Sequence, residues 1–402
     1  MERADLTLSA GPNDVASEVL AAMGSPILYH YDPVFLARFA ETEEKIAQLF
    51  RTTSHEIILM QGEAVLGLEA AARAVVQPGM ACLNLVSGVF GKGFGYWLSA
   101  MGADLREIEV PYDQSIDPAA VEAYLDAHPE IRVVSVVHCD TPSTTINPVR
   151  EIGPIARAHG AVTIVDAVST FGGIELRPEE WQLDLVVAGP QKCLGGPPGM
   201  SLLAISKQAW AMIDANPGAP RGSFLSILDW RDQWHGQGHF PFTPSVSDLN
   251  GVNKAAELLL TEGLDASQAR HARIAAACRA GVRGMGLRPW AASEEIAAAC
   301  ATAIAVPDGL IDIAVRDHVR SQYRVQLSAG QRAGNLVRIG HMGANARPMF
   351  MIAGLAALGR SLLDMGVRLD LGAGLEAALA SLSESSSTVA DTGVRKVVVP
   401  TS

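Results

Sequence analysis

No stretch of this 402-residue sequence approaches the roughly 18 consecutive apolar residues that a membrane-spanning helix needs. The first residues, Met1-Glu2-Arg3-Ala4-Asp5, lack the basic start and apolar core of a signal peptide. A basic excess is missing too. The 31 Lys and Arg stand against 43 Asp and Glu, a formal net charge of −12, which argues against nucleic acid and against an anionic membrane as partners. Cys82, Cys139, Cys193, Cys278 and Cys300 are odd in number, far apart and without a CxxC pair, so neither a disulfide framework nor a zinc site is expected. Reduced thiols of this kind point to the cytoplasm. Internal repeats are absent. Charged residues make up only 18% and hydrophobic residues 49%, which excludes disorder over most of the chain and implies a large buried core.

What is present is an alternation of short apolar runs with helical patterns. Ala81–Val86, Leu105–Val110, Arg132–His138, Ala161–Val165, Leu183–Ala188 and Leu202–Ile205 read as strands, and Gly62–Val76 and Val149–Ala158 as helices. Asp117 reads as an N-cap before Pro118. Continuous apolar strands between helices predict an α/β fold with a mainly parallel sheet of seven-stranded type, covered on both faces. Ligands on such sheets bind beyond the carboxyl ends of the strands. Residues 217–251, rich in Pro, Gly, Trp and His, read as a long irregular excursion, with helix from Val252. After Gly286 the pattern becomes a smaller α+β mixture, with strands near Ala301–Val306, Tyr323–Leu327 and Leu336–Gly340. The expected division is a large binding domain over 15–250, a small domain from 1–14 and 251–384, and a poorly ordered tail over 385–402. The loss of periodicity is already visible from Ser383.

Two strand ends carry chemistry. Lys192 lies among small and apolar residues in Gly189-Pro190-Gln191-Lys192-Cys193-Leu194-Gly195-Gly196, just after a strand. A desolvated lysine there has a lowered pKa and can serve as an amine nucleophile or proton shuttle; the bland alternative is a packed stem with its head in water. Asp166 ends the strand Thr163-Ile164-Val165-Asp166. A carboxylate there needs a cation, and a pyridinium nitrogen would serve; the alternative is a helix cap.

The chain resembles the fold-type I, class V aminotransferases. The likeness is carried by Leu8-Ser9-Ala10-Gly11-Pro12, Gly62-Glu63-Ala64-Val65, Ser87-Gly88-Val89-Phe90-Gly91, Asp140-Thr141-Pro142-Ser143, the lysine segment, Phe242-Thr243-Pro244-Ser245, and Arg338-Ile339-Gly340-His341-Met342-Gly343, and runs to about Ala380. It implies Lys192 as the Schiff-base lysine, Asp166 against the pyridine nitrogen, and Phe90 in place of a ring-stacking Tyr or Trp. It also implies Ser143 and Gln191 among the vitamer contacts and Arg338 on the substrate carboxylate. Arg332 is the nearest candidate for a second substrate arginine, in a loop shorter than that of its relatives. The Phe242–Ser247 loop implies a homodimer or homotetramer with shared sites.

Glu63 sharpens the expectation. Relatives that use a phosphate ester present backbone N–H groups and neutral side chains at this helix start. A carboxylate there repels phosphate and accepts a hydrogen bond from a hydroxymethyl group; the bland alternative is a solvent-facing residue that complements the helix dipole. The resemblance therefore implies transfer of the amino group of pyridoxamine to pyruvate, giving pyridoxal and L-alanine. The vitamer is then a substrate bound to Lys192, and no metal is involved. The alternative is a pyridoxal 5′-phosphate-dependent alanine or serine aminotransferase acting on glyoxylate or pyruvate. Gln191 stands where a similar enzyme has Asn, and because phosphate-using aminotransferases often have Gln before the lysine it pulls mildly toward that alternative. Two decoys are set aside. His235 and His239 flank Gly236-Gln237-Gly238, which predicts a loop and not a helical metal site. Cys193 reads as packing and not as a sulfur-transferring nucleophile.

Overall fold

The computed structural model describes residues 4–387. Its centre is a seven-stranded sheet in the order Glu56–Gln61, Met200–Ile205, Leu185–Ala188, Val162–Asp166, Val133–Val137, Ala81–Val86, Asp104–Glu109. All pairings are parallel except the two made by Met200–Ile205, which runs antiparallel to both neighbours. The reversal has a simple cause. Only the loop between Ala188 and Met200 joins that strand to the preceding one, too short for the helical crossover a parallel connection requires. The chain must turn back at the carboxyl edge of the sheet, and Lys192 sits on this turn.

Every strand but Asp104–Glu109 and Glu56–Gln61 is buried along its whole length, as continuous apolar runs require. Helices Ala64–Val75, Val89–Ala100 and Val149–Ala158 follow their strands. Asp117 accepts the Ala119 N–H at 3.0 Å and caps a helix that begins at Pro118. One apolar core, from Val19 to Leu259, surrounds the sheet. A second gathers Leu8 with residues from Ile274 to Leu382 around the three-stranded sheet Ala301–Ala305, Leu336–Gly340, Ser328–Ala329. The division drawn at residue 250 falls inside helix Val246–Glu262, whose buried face belongs to the first core.

Two expectations are corrected. The excursion over 217–251 is largely ordered. Ile227–Asp229 continues into a π-helical turn, Trp230–His235, and the next helix begins at Val246, ahead of Val252. Its aromatics explain this: Trp230, Trp234 and Phe240 pack on Phe39, and Trp234 Nε1 donates to Glu43 at 2.9 Å. His235 therefore lies on a helical turn and not in a loop, bonded to Glu43 and Glu56. The last helix, Leu371–Ser387, runs past Ser383. Leu382 is buried in the second core one turn after Ala378, and the Ser383 hydroxyl donates back to the Leu379 carbonyl at 3.1 Å, a bond that leaves the helix intact. The remainder of the proposed tail lies outside the described residues. No helix among the described residues is long and apolar enough to cross a membrane.

Candidate active site

Beyond the carboxyl ends of the strands lies a cavity of about 400 Å³, counting its open mouth. Ala64, Val65, Leu68, Phe90 and Val168 give it apolar walls, and Glu63, Thr141, Asp166, Ser169 and Lys192 give it polar groups. Lys192, Asp166, Glu63 and Phe90, named from the sequence, thus meet at one place.

The Lys192 Nζ donates to the Ala10 carbonyl at 2.6 Å. Gly11 makes this approach possible: its φ of +95° suits glycine, and a Cβ there would fall within 2.3–2.6 Å of the lysine side chain. Burial, and then the positive charge of Arg338, hold the Lys192 amine below the usual lysine range. No carboxylate pairs with it within salt-bridge distance among the described residues.

Asp166 Oδ1 accepts the Val168 N–H at 2.9 Å, its only hydrogen bond among the described residues. Burial pushes its carboxyl up to about 7; the Val168 N–H pulls the other way and the charge of Asp140 adds to the rise. A buried acid with one donor and no cation, in an apolar slot with an amine, fits a pyridine ring whose nitrogen carries a proton.

Glu63 is exposed and does two things. Its Oε2 accepts the Val65 N–H at 2.8 Å and so caps helix Ala64–Val75. Its Oε1 accepts from Gln191 Nε2 at 2.6 Å. Ser201 supports the turn, with its Oγ 3.0 Å from the carbonyls of Gly62 and Glu63. The helix start therefore already holds a carboxylate. Gln191 spends its donor on that carboxylate, and its buried Oε1 has no partner among the described residues. Gln191 thus belongs to the Glu63 arrangement.

Arg338 lies on strand Leu336–Gly340 of the small sheet. Its Nε donates to the Ala329 carbonyl at 2.8 Å and its Nη1 to the Thr141 carbonyl at 2.6 Å, while Nη2 has no partner among the described residues. Burial brings it down to about 10, so it keeps its charge at neutral pH. Phe90 opens helix Val89–Ala100, 38% exposed.

Four sequence candidates are not among the residues that line the cavity: Gln191 and Arg338, bonded to the lining residues Glu63 and Thr141 respectively, and Ser143 and Arg332. The Ser143 hydroxyl is buried behind the lining, donating to the Asp140 carbonyl at 3.1 Å and bonding Thr145 Oγ1 at 2.8 Å. Thr141 of the same segment takes the wall position, hydrogen-bonded to Ser169. Arg332 is exposed on a turn before strand Leu336–Gly340 and is not part of the lining. Thr141, Ser169 and the Ala10 carbonyl were missed as site groups. Thr141 stands just past a strand in Asp140-Thr141-Pro142-Ser143, whereas a backbone carbonyl leaves no side-chain signal. Cys193 donates to the Ser169 carbonyl at 3.3 Å in a buried, packed position. No group of three metal-ligating side chains comes together among the described residues.

The class-V aminotransferase family profile matches residues 17–353. A pyridoxamine–pyruvate transaminase of Mesorhizobium japonicum is 51% identical over 383 residues, covering 94% of this chain and 97% of that one. The crystal structure of pyridoxamine–pyruvate aminotransferase from Mesorhizobium loti superposes with a TM-score of 0.93 at 49% identity, over 95% of this chain and 98% of that one. The ureidoglycine–glyoxylate aminotransferase of Bacillus subtilis follows with a TM-score of 0.89 at 29% identity, over 94% and 97%.

Proposed function

Because the chain belongs to the class-V aminotransferases, we propose that it transfers the amino group of pyridoxamine to pyruvate, giving pyridoxal and L-alanine, a step in vitamin B6 breakdown. That it is an aminotransferase follows from the family and from its relatives. The choice of vitamer rests on Glu63. Its carboxylate occupies the helix start that would otherwise hold a phosphate, and Lys192 is the only cation lining the cavity among the described residues. A hydroxymethyl group can donate to that carboxylate; a phosphate ester would be repelled by it.

The pyridine ring of the vitamer supplies an electron sink when a C–H bond beside its nitrogen substituent is broken. This chain's residues do the rest. Asp166 keeps a proton on the ring nitrogen. Phe90 covers a ring face. Lys192, its amine lowered from the usual lysine range by burial, is the nucleophile toward the vitamer's aldehyde carbon. Once released, the same amine moves a proton between the alanine α-carbon and the vitamer's C4′. Arg338 offers Nη2 to the three-carbon substrate's carboxylate, with Nε and Nη1 tied to backbone so that the guanidinium plane is fixed.

The reading includes a homodimer or homotetramer in the cytoplasm. Val65 and Phe90 at the cavity, and Tyr96 on the helix that Phe90 opens, leave apolar surface exposed. The Phe242–Ser247 loop does not line its own protomer's cavity. The five cysteines are free thiols, as in a reducing compartment. The test is direct: purified protein given pyridoxamine and pyruvate should form pyridoxal and L-alanine in equal amounts. Alanine formation only from the 5′-phosphate form would favour the phosphate-dependent alternative.

A further inference from the structure

Asp140 is a buried acid that the reaction as described does not use, yet it touches the machinery from two sides. Its Oδ1 accepts the Val89 N–H at 3.1 Å, and its Oδ2 accepts those of Phe90 at 2.9 Å and Gly91 at 3.1 Å. Helix Val89–Ala100 has no side-chain cap from its own segment, so Asp140 is the anion at its N-terminus. The approach depends on Gly88: a Cβ there would lie 2.1 Å from the Asp140 Cγ. The next carbonyl, that of Thr141, receives Arg338 Nη1. The backbone between the two contacts is pinned, because the Asp140 carbonyl accepts the Thr144 N–H at 2.8 Å and the Ser143 hydroxyl. Strands Cys139–Asp140 and Thr145–Ile146 pair as a short hairpin that reaches the small sheet, with Ala303 N–H donating to the Thr144 hydroxyl and Ala298 N–H, just before that sheet, to the Thr144 carbonyl.

We propose that Asp140 is a positioning residue that sets the distance between the ring-covering Phe90 and the carboxylate-holding Arg338. Phe90 sits on a large-domain helix and Arg338 on a small-domain strand, and residues 140–141 are the covalent link between their hydrogen-bond partners. The inference rests on the roles given to Phe90 and Arg338 above. The electrostatics agree with it. Burial lifts Asp140 to about 6 against its three N–H donors, and Arg338 is the cation that acts on it. Asp140 in turn raises Asp166, which otherwise feels Lys192 and Glu63.

The test compares wild type, Asp140→Asn, Gly88→Ala and Arg338→Lys, with folding checked by circular dichroism. Asp140→Asn keeps the shape, removes the charge and sets an amide donor against backbone donors. Gly88→Ala keeps the charge and displaces the carboxylate, so it serves if the first variant does not fold. Both should raise the pyruvate KM about tenfold, as a misplaced anchor does. Asp140→Asn should also move the acid limb of the kcat/KM profile to lower pH, because removing the charge lowers Asp166. A folded variant with wild-type pyruvate KM and an unmoved acid limb overturns the inference and leaves Asp140 a plain helix cap. If Arg338→Lys also leaves the pyruvate KM unchanged, the carboxylate assignment itself falls, and this inference with it.

Discussion

Replacing Glu63 by Gln removes one charge and keeps an acceptor for the Val65 N–H, so the helix cap survives while the repulsion goes. A unit charge at about 4 Å is worth roughly 1 kcal/mol in water and about 4 kcal/mol near a protein surface; exposure of Glu63 favours the lower figure. Glu63→Gln should therefore shift the ratio of kcat/KM for pyridoxamine 5′-phosphate over pyridoxamine upward by about fivefold or more, measured by aldehyde formation. An unchanged ratio would return Glu63 to the role of a cap alone. At this scale the sequence was most informative where a charged residue stood at the end of an apolar strand. Lys192 and Asp166 were legible because burying such groups without purpose is costly. The clasp between Glu63 and Gln191 was not, since it depends on the loop that carries Gln191 returning along the strand that ends at Gln61. Arg332 was expected as the nearest equivalent of an arginine in a loop that is longer in related enzymes, but it is exposed on a turn and does not line the cavity.

Among the elements, the π-helical turn Trp230–His235 shows what periodicity cannot read. The glycines and prolines on either side of it predict a loop, and tertiary packing of Trp230 and Trp234 overrides them. His235 ties this turn to helix Pro33–Phe50 through Glu43, at 2.9 Å, and to strand Glu56–Gln61 through Glu56, at 2.5 Å. Burial opposes its charge, but the two carboxylates outweigh it and raise the ring to about 9. A histidine raised above its ordinary 6.5 gives its full stabilisation below pH 6.5 and loses it as the pH rises through 9. With partial solvent screening this amounts to about 1–2 kcal/mol. Chemical denaturation at pH 6 and pH 9.5 should show that His235→Gln lowers stability at the first pH and has little effect at the second. Equal losses at both would deny the ion pairs. Strand identities were legible from apolar runs, but the antiparallel direction of Met200–Ile205 was not, because it follows from the length of the preceding loop and leaves no mark in composition.

For the whole molecule, the cavity lies at the sheet edge, and two other parts of the chain bond to its lining: the Ala10 carbonyl beside Gly11 accepts from Lys192, and Arg338 of the small-domain strand donates to the Thr141 carbonyl. The apolar surface of Val65, Phe90 and Tyr96 beside the cavity calls for cover. Light scattering should give a mass twice or four times the 42.4 kDa of one chain, and full activity in a particle of single-chain mass would contradict the shared-site assembly. The net charge of −12 argues against nucleic acid and membrane as partners without touching the choice of substrate; in the proposed reading that choice depends on the placement of single charges.

The central claim is that the site takes a vitamer without phosphate. Steady-state kcat/KM for pyridoxamine and for pyridoxamine 5′-phosphate, each with saturating pyruvate and the same enzyme preparation, tests it most directly. The account predicts a clear preference for pyridoxamine. An equal or higher value for the 5′-phosphate would contradict it.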